Sequence, residues 1–503
     1  MKKTNVPVVT LAIFMTTFMT AIEGTIVSTA MPTIVSDLNG LEIMNWVVSI
    51  FLLMTAVSTP LYGKLADSIG RKPVFLFGIA LFVIGSSLCG LAQNMIELIV
   101  FRVIQGLGSG AVQPVAITII ADLYTLQKRA KMLGLNSGFW GVASVIAPLL
   151  GGFIVQHLSW HWVFYINVPI GIIAFLLVIF FLGEPKHRSK SKLDLQGTVW
   201  LVILLLALMF FLQDLGGNTN IVIMAILAIL VVASAILFFK SEKKAADPIM
   251  PLSMLKDREF LALNLITLLI SGVVIGFEFY IPTWMQGING TNASLAGFAV
   301  TPSSLMWIVG SFLIGGMLGR WGIKKTYDYM LIVLVAADLV LILVPIYTPF
   351  WVFCVVAAFN GTAFGAITTA SQVRSQVLVS KEDIGVATSF NTLMKYLGST
   401  MMVSIYGIAF NTMVAQGLTK HPGLNQAMMN KIVSAENAKT LAASVVPQLR
   451  QVLFGGLKAV YVVSMIVILV SIILNQTYKD RKIIKKVKVV RYHKVSGYFF
   501  EIE

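Results

Sequence analysis

Five ionisable side chains lie inside stretches that are otherwise apolar or small: Glu23 in "TAIEGTIVSTAMPTI", Arg102 in "FRVIQGLGSG", Glu278 in "VVIGFEFYIP", Asp338 in "VLVAADLVLIL" and Lys395 in "FNTLMKYLGST". An ionisable group at the centre of a bilayer costs at least ~2.5 kcal/mol, so it normally faces a protein interior and has a partner or a job there. The chemistry these types support is proton and charge handling. Burial and a neighbouring cation act on a carboxyl in opposite directions. A carboxylate in a cleft that opens first to one side and then to the other can therefore take up and release a proton. A cationic substrate would compete for the same group. The plainer reading, strongest for Asp338, is a buried polar contact that holds helices together.

Depth limits which of these groups can meet. Glu23 lies roughly 12 Å below the outer end of its helix, and Arg102 roughly 8 Å from the outer end of its own. A Glu23–Arg102 interaction is geometrically allowed, Glu278 sits at a similar depth, and Lys395 lies closer to mid-membrane. Glu23 is expected to border a hydrated cleft. Gln105, Asn136 and Gln286 are candidates to line it, although polar side chains also join helices.

The elements that must position these groups follow from composition. Hydrophobic residues make up 57% of the 503 and charged residues 12%, against about 25% charged in soluble domains. Mean hydropathy is +0.87. Runs long enough to cross a bilayer occupy 8–30, 46–65, 74–91, 98–121, 132–155, 162–182, 195–211, 221–239, 260–285, 293–318, 329–346, 351–373, 386–414 and 452–474. An all-α polytopic membrane protein of fourteen transmembrane helices is expected. Lys and Arg gather in alternate loops (Lys64/Arg71/Lys72, Lys128/Arg129/Lys131, 186–192, 240–258, 320–325) and in the tail, whereas "QDLGGNTN" and "MQGINGTN" have none. The positive-inside rule places both termini in the cytoplasm; the long connection 415–451 contains Lys420, Lys431, Lys439 and Arg450 and is assigned to the outside because long loops obey the rule only weakly.

The formal net charge of +15 is thus a topology signal. No basic folded domain is present to bind nucleic acid, and the basic tail reads as a solvated tether beside lipid. Cys89 and Cys354 fall inside spans, which argues against disulfides or a metal cluster. The first span lacks a small-residue cleavage site and is expected to be retained.

Three motifs organise the first half. "GKLADSIGRK" (63–72) combines turn-forming glycines with Asp67, Arg71 and Lys72, charges that can lock helix ends. "RVIQGLGSG" (102–110) imitates a dinucleotide loop but lies within a span, where close helix packing is the better account. "GVASVIAPLLGG" (141–152) carries Pro148 among small residues that permit a kink and close approach. In this order and at these spans they resemble the signature of the major facilitator superfamily. "IEGTIVSTAMP" and "WHWVFYINVPIG" narrow the resemblance to its drug:proton antiporter branch with fourteen spans, the multidrug exporters of Gram-positive bacteria.

The resemblance implies two six-helix bundles with two extra helices between them, alternating access and proton-driven efflux. On that basis the domains fall at 1–183, 184–259 (linker with two helices), 260–474 (including the outer loop 415–451) and 475–503. It assigns proton or substrate handling to Glu23 and Arg102, with Glu278, Asp338 and Lys395 as further candidates. The cytoplasmic gate takes Gly63, Asp67, Gly70, Arg71 and Lys72, with Asp122 as partner of Arg71, and the helix-five antiporter motif takes Gly141, Pro148, Gly151 and Gly152. Ala147, His161 and Lys395 depart from the branch's usual glycine, arginine and arginine.

"GGMLGRWGIKK" (315–325) repeats the Gly63 loop at an offset of 252 residues, Gly322 matching Gly70 and Lys324 matching Lys72, with Gly319 where the acid would stand. Parallel repeats of this kind suit bundles that rock about a shared mid-membrane site.

The expected function is proton-coupled export of hydrophobic, cationic drugs across the plasma membrane by a multi-pass monomer. It would use protons and a small hydrophobic substrate as partners, with no cofactor, metal or nucleic acid. Export of an endogenous lipid, peptide or metabolite is the alternative. A membrane-embedded enzyme is disfavoured for want of a clustered nucleophile and base, and nucleotide-driven pumping for want of a P-loop.

Overall fold

The computed structural model describes residues 4–183, 195–214, 221–245, 254–379 and 384–478. The basic tail, His187 and the lysine-rich loop 184–194 lie outside the described residues, as do the side chains of Asp67 and Lys64.

Apolar runs become helices because a lipid-exposed backbone must satisfy its own hydrogen bonds. In chain order they are α1 (Val6–Leu38), α2 (Met44–Ile69), α3 (Arg71–Cys89), α4 (Met95–Leu123), α5 (Leu126–His157), α6 (Trp162–Tyr165), α7 (Asn167–Phe181), α8 (Leu195–Asp214) and α9 (Ile221–Lys244). There follow α10 (Arg258–Gly287), α11 (Ala293–Leu343), α12 (Phe350–Val377), α13 (Ile384–Lys420), α14 (Gln426–Ile432) and α15 (Val446–Gln476). Among the described residues no strand forms, and the chain is an all-helical multi-pass membrane protein.

Among the described residues thirteen segments are long and apolar enough to span, with α6 and α7 counted together and α11 counted twice; α8 adds the shorter apolar stretch Gln196–Leu212. Most helices extend several residues beyond the apolar runs. Their ends are fixed by polar caps: Asn94 accepts from the Glu97 N–H while Glu97 accepts from Gln93, and Asp257 and Asn292 cap α10 and α11.

Two turns are tighter than hydropathy suggests. α2 passes into α3 at Gly70, with φ 111°, and α11 runs for 51 residues with one break at Gly322, φ 75°. Both angles fall in the left-handed region that glycine alone tolerates cheaply. The two glycines stand 252 positions apart, as the repeat requires. Where a loop was expected between the tenth and eleventh spans, this single residue suffices.

α1–α7 pack as one bundle and α10–α13 with α15 as another, while α8 lies across both, its Leu201 and Leu205 set among Ile50, Leu53, Phe390 and Leu393. The α4 glycines serve close approach: a Cβ at Gly108 would sit 2.3 Å from the Phe82 nitrogen, and one at Gly110 2.0 Å from Ser58 Oγ.

The bundles meet along α1–α10, α2–α13 and α5–α11. Every hydrogen bond that joins them among the described residues lies on the lysine-poor face. Asn430 accepts from the Leu41 N–H (3.3 Å), Asn411 donates to the Glu42 carbonyl (2.8 Å), and Asn437 donates to Ser36 Oγ (2.6 Å) and Asp37 (3.1 Å). Tyr280 donates to Asn45 (2.9 Å) and Gln286 to the Thr29 carbonyl (3.2 Å). The connection 415–451 therefore sits on the same face as the α1–α2 turn, bound across the seam.

Candidate functional site

In the first bundle, α1 presents Glu23 to α4 and α7. Arg102 forms an ion pair with Glu23 Oε1, and Asn167 donates to Oε2 at 2.6 Å. The same guanidinium donates to the Val47 carbonyl (3.0 Å) and Gln105 Oε1 (2.7 Å) and lies 4.0 Å from the centre of the Phe51 ring. Gln105 and Asn167 in turn donate to Ser86 Oγ, each at 3.1 Å.

Glu23 is 0% exposed and Arg102 1%. This corrects the expectation that Glu23 borders a hydrated cleft: in this conformation it is sealed. The reason is saturation. A buried carboxylate is tolerable only with its lone pairs occupied, and two helices, α4 and α7, supply the donors. Gln105 belongs to this network and not to a cavity wall.

In the second bundle the charges are held differently. Glu278 (α10) and Lys395 (α13) act on each other electrostatically from deep inside the protein, yet each keeps accessible surface. They therefore border an internal cleft. Among the described residues neither makes a hydrogen bond or ion pair. The Lys395 ammonium lies 5.3 Å from the Trp140 ring of α5 and 5.2 Å from the Trp307 ring of α11, so the cleft lies between the bundles. Half-buried Asn136, which accepts from Thr17 at 2.8 Å, lies one turn of α5 from Trp140.

Asp338 takes a third course. It is 1% exposed within the second bundle, with Ser464 and the hydroxyls of Tyr406 and Tyr461 nearby. Among the described residues Asp338 Oδ2 and both tyrosine hydroxyls have no hydrogen-bond partner. It lies apart from the cleft, 252 positions after Ser86 of the Glu23 network.

The gate-loop residues sit on the basic face. Arg71 pairs with Asp122 and donates to the Thr118 carbonyl at 2.6 Å. Lys72 donates to the Ile179 and Leu182 carbonyls (2.9 and 2.7 Å) at the end of α7, where a cation meets the negative helix terminus. Gly63 and Gly70 frame the loop, and the Asp67 side chain lies outside the described residues.

The helix-five motif lies in the seam. A Cβ at Gly152 would come 2.5 Å from the Ala293 carbonyl of the other bundle, one at Gly151 2.3 Å from Thr29 Oγ1, and one at Gly297 2.2 Å from the Pro148 carbonyl. Gly141, nearer the cleft, faces Ile308. Gln286 is spent in the same seam, outside the cleft.

Sequence reasoning missed Trp140, Trp307 and Asn167. Each reaches the site from a different helix, and no spacing along the chain announces that. His161, outside the spans, stacks on Trp160 (3.7 Å between centroids) and hydrogen-bonds Ser159. Partial burial lowers its proton affinity below that of a free imidazole, and Asp37 partly offsets this.

A sequence profile described as Major Facilitator Superfamily matches residues 13–403. Multidrug resistance protein 3 of Bacillus subtilis is 38% identical over 417 residues, covering 81% of this chain and 80% of that one. Multidrug transporter protein MdtP of the same organism is 33% identical over 500 residues, covering 93% and 92%. Among solved structures, an inward-facing, occupied bacterial homolog of the human lysosomal transporter Spinster superposes with a TM-score of 0.67 at 17% identity, covering 93% and 95%.

Proposed function

The chain belongs to the major facilitator superfamily, and from that membership we propose that it is a proton-coupled antiporter exporting hydrophobic, cationic compounds across the cell membrane. The relatives named as multidrug resistance and multidrug transporter proteins support drugs as the cargo, and the carboxylate in the cleft favours cations among them. One observation carries the mechanism: Glu278 and Lys395 border a cleft between bundles that are fastened together only on the lysine-poor face among the described residues. By the positive-inside rule that face is external, so the cleft would be reached from the cytoplasm in this conformation.

A hydrophobic cation entering it meets a carboxylate that no direct partner holds. Release outside requires the seam to part, after which a proton replaces the cation on Glu278 and the bundles rock back. The proton gradient supplies the energy without a cofactor, and a single chain contains both bundles. The gate pair Arg71–Asp122 and the close packing at Pro148, Gly151 and Gly152 would shape the two end states. Glu23 and Arg102 enter this scheme as the rigid support of the first bundle.

Proteoliposomes with an imposed pH gradient and a panel of cationic, neutral and anionic compounds test the reading. Wild type is expected to accumulate hydrophobic cations and to stop when the gradient is dissipated. Glu278→Gln should lower gradient-driven uptake at least tenfold while drug-for-drug exchange persists. Gradient-driven transport by Glu278→Gln at the wild-type rate would overturn the assignment.

A further inference from the structure

The interior lysines and their surroundings do not match. Lys72 donates to two carbonyls, Lys324 to the Tyr478 carbonyl at 3.0 Å, and Lys458 to the carbonyls of Ile342 and Val344. An ammonium has three donors to satisfy, and these lysines spend theirs on oxygen. Lys395 does not. Its nitrogen faces two indole rings, and its only charge partner among the described residues, Glu278, stands beyond direct contact.

A site that offers two aromatic faces, a carboxylate at a distance and no hydrogen-bond acceptor at hand is poorly matched to a primary ammonium. It is well matched to a cation that has no N–H at all. Quaternary ammonium and phosphonium ions are recognised in this way, by ring quadrupoles and a diffuse counter-charge.

We propose that Trp140 and Trp307 form a clamp for a bulky organic monocation, and that Lys395 occupies it as an internal surrogate which the substrate displaces. The inference rests on the cationic-cargo reading above and specifies where and how that cargo is held. Trp140 belongs to the first bundle, whereas Trp307 and Lys395 belong to the second. An occupant of the clamp therefore touches both bundles, and Gly141 lets α5 approach Ile308 of α11 closely beside it. Displacement also strips Glu278 of its internal cation, so the incoming charge takes over both of the lysine's partners. A neutral compound of the same size gains only the rings and leaves the ammonium without its place.

Full-length protein in lipid nanodiscs, titrated calorimetrically with tetraphenylphosphonium, tests this. Lys395→Gln empties the clamp and is expected to tighten binding about tenfold, the scale of one desolvated cation–π contact. Lys395→Arg keeps a cation there and should bring no gain. Trp140→Phe in the Lys395→Gln background, which retains a ring of weaker quadrupole, should remove most of the gain, and binding of neutral triphenylphosphine oxide should be indifferent to Lys395→Gln. Unchanged or weaker tetraphenylphosphonium binding by a Lys395→Gln protein that unfolds at the wild-type temperature would overturn the surrogate role. If that occurs while wild type still exports cations, the clamp fails and the transport reading stands. Tightened binding with no cation transport by wild type would leave the clamp standing and remove its transport role.

Discussion

The first bundle and the second each bury acid, and they treat it in opposite ways. Glu23 is enclosed by Arg102 and Asn167, with Gln105 and Ser86 behind them, and both carboxylate oxygens have a donor. Among the described residues Glu278 has surface to spare and no direct partner, and Asp338 is enclosed without a cation. A carboxylate held at both oxygens by donors from two helices resists rearrangement. A loose pair can exchange partners at small cost. The first bundle therefore reads as a fixed frame and the second as the side on which charge is traded, although its place in an apolar span and the family resemblance both put Glu23 at the centre of the chemistry.

The largest test of that contrast is Arg102→Ala. Removing one member of a buried ion pair leaves the other uncompensated, at a cost of about 3–5 kcal/mol. A clearly lowered unfolding temperature in detergent is expected, with substantial recovery when Arg102→Met is combined with Glu23→Gln. An unaltered unfolding temperature for Arg102→Ala would mean the pair is no frame. A smaller effect is expected from Asp338→Asn, which keeps the shape and removes a buried acid lacking a cation. Thermal unfolding should show stability unchanged or raised by up to about 1 kcal/mol, and a fall of similar size would show that this carboxylate holds the second bundle together.

The smallest effect concerns pH at the outer rim of the first bundle. His161 takes a proton less readily in the folded protein than in the unfolded chain. The unfolded state therefore binds more protons just below the free imidazole value of about 6.5. Its contribution to stability is complete above that pH and erodes as pH falls towards the lower folded value. The unfolding temperature of wild type minus that of His161→Gln should shrink slightly between pH 7.5 and pH 5.5. A difference that grows on acidification would place the imidazolium in a favourable pair with Asp37.

The spans were legible in the sequence because hydropathy is the quantity a bilayer selects. Their ends were less so, since polar turns capped by Asn94, Asp257 and Asn292 continue the helices past the apolar runs. The loop repeat was legible at Gly70 and Gly322, because a backbone that needs positive φ writes itself as glycine. Depth along the membrane was enough to bring Glu23 and Arg102 to one level. It could not reveal that the carboxylate is sealed, since Asn167 reaches it from α7 and Ser86 lies behind on α3. The aromatic clamp was illegible for the same reason: residues 140, 307 and 395 have no periodic relation, and only packing brings their helices together.

Among the described residues the fastening across the lysine-poor face is built from side-chain amides, a phenol, a hydroxyl and backbone groups, with Asp37 its one ionic participant. Bonds between neutral dipoles are barely weakened by dissolved ions, in contrast to surface charge pairs. Such a clasp should keep nearly the same strength in brackish, fresh or mildly acidic surroundings, leaving its release to be governed from within the molecule and not by the weather outside the cell.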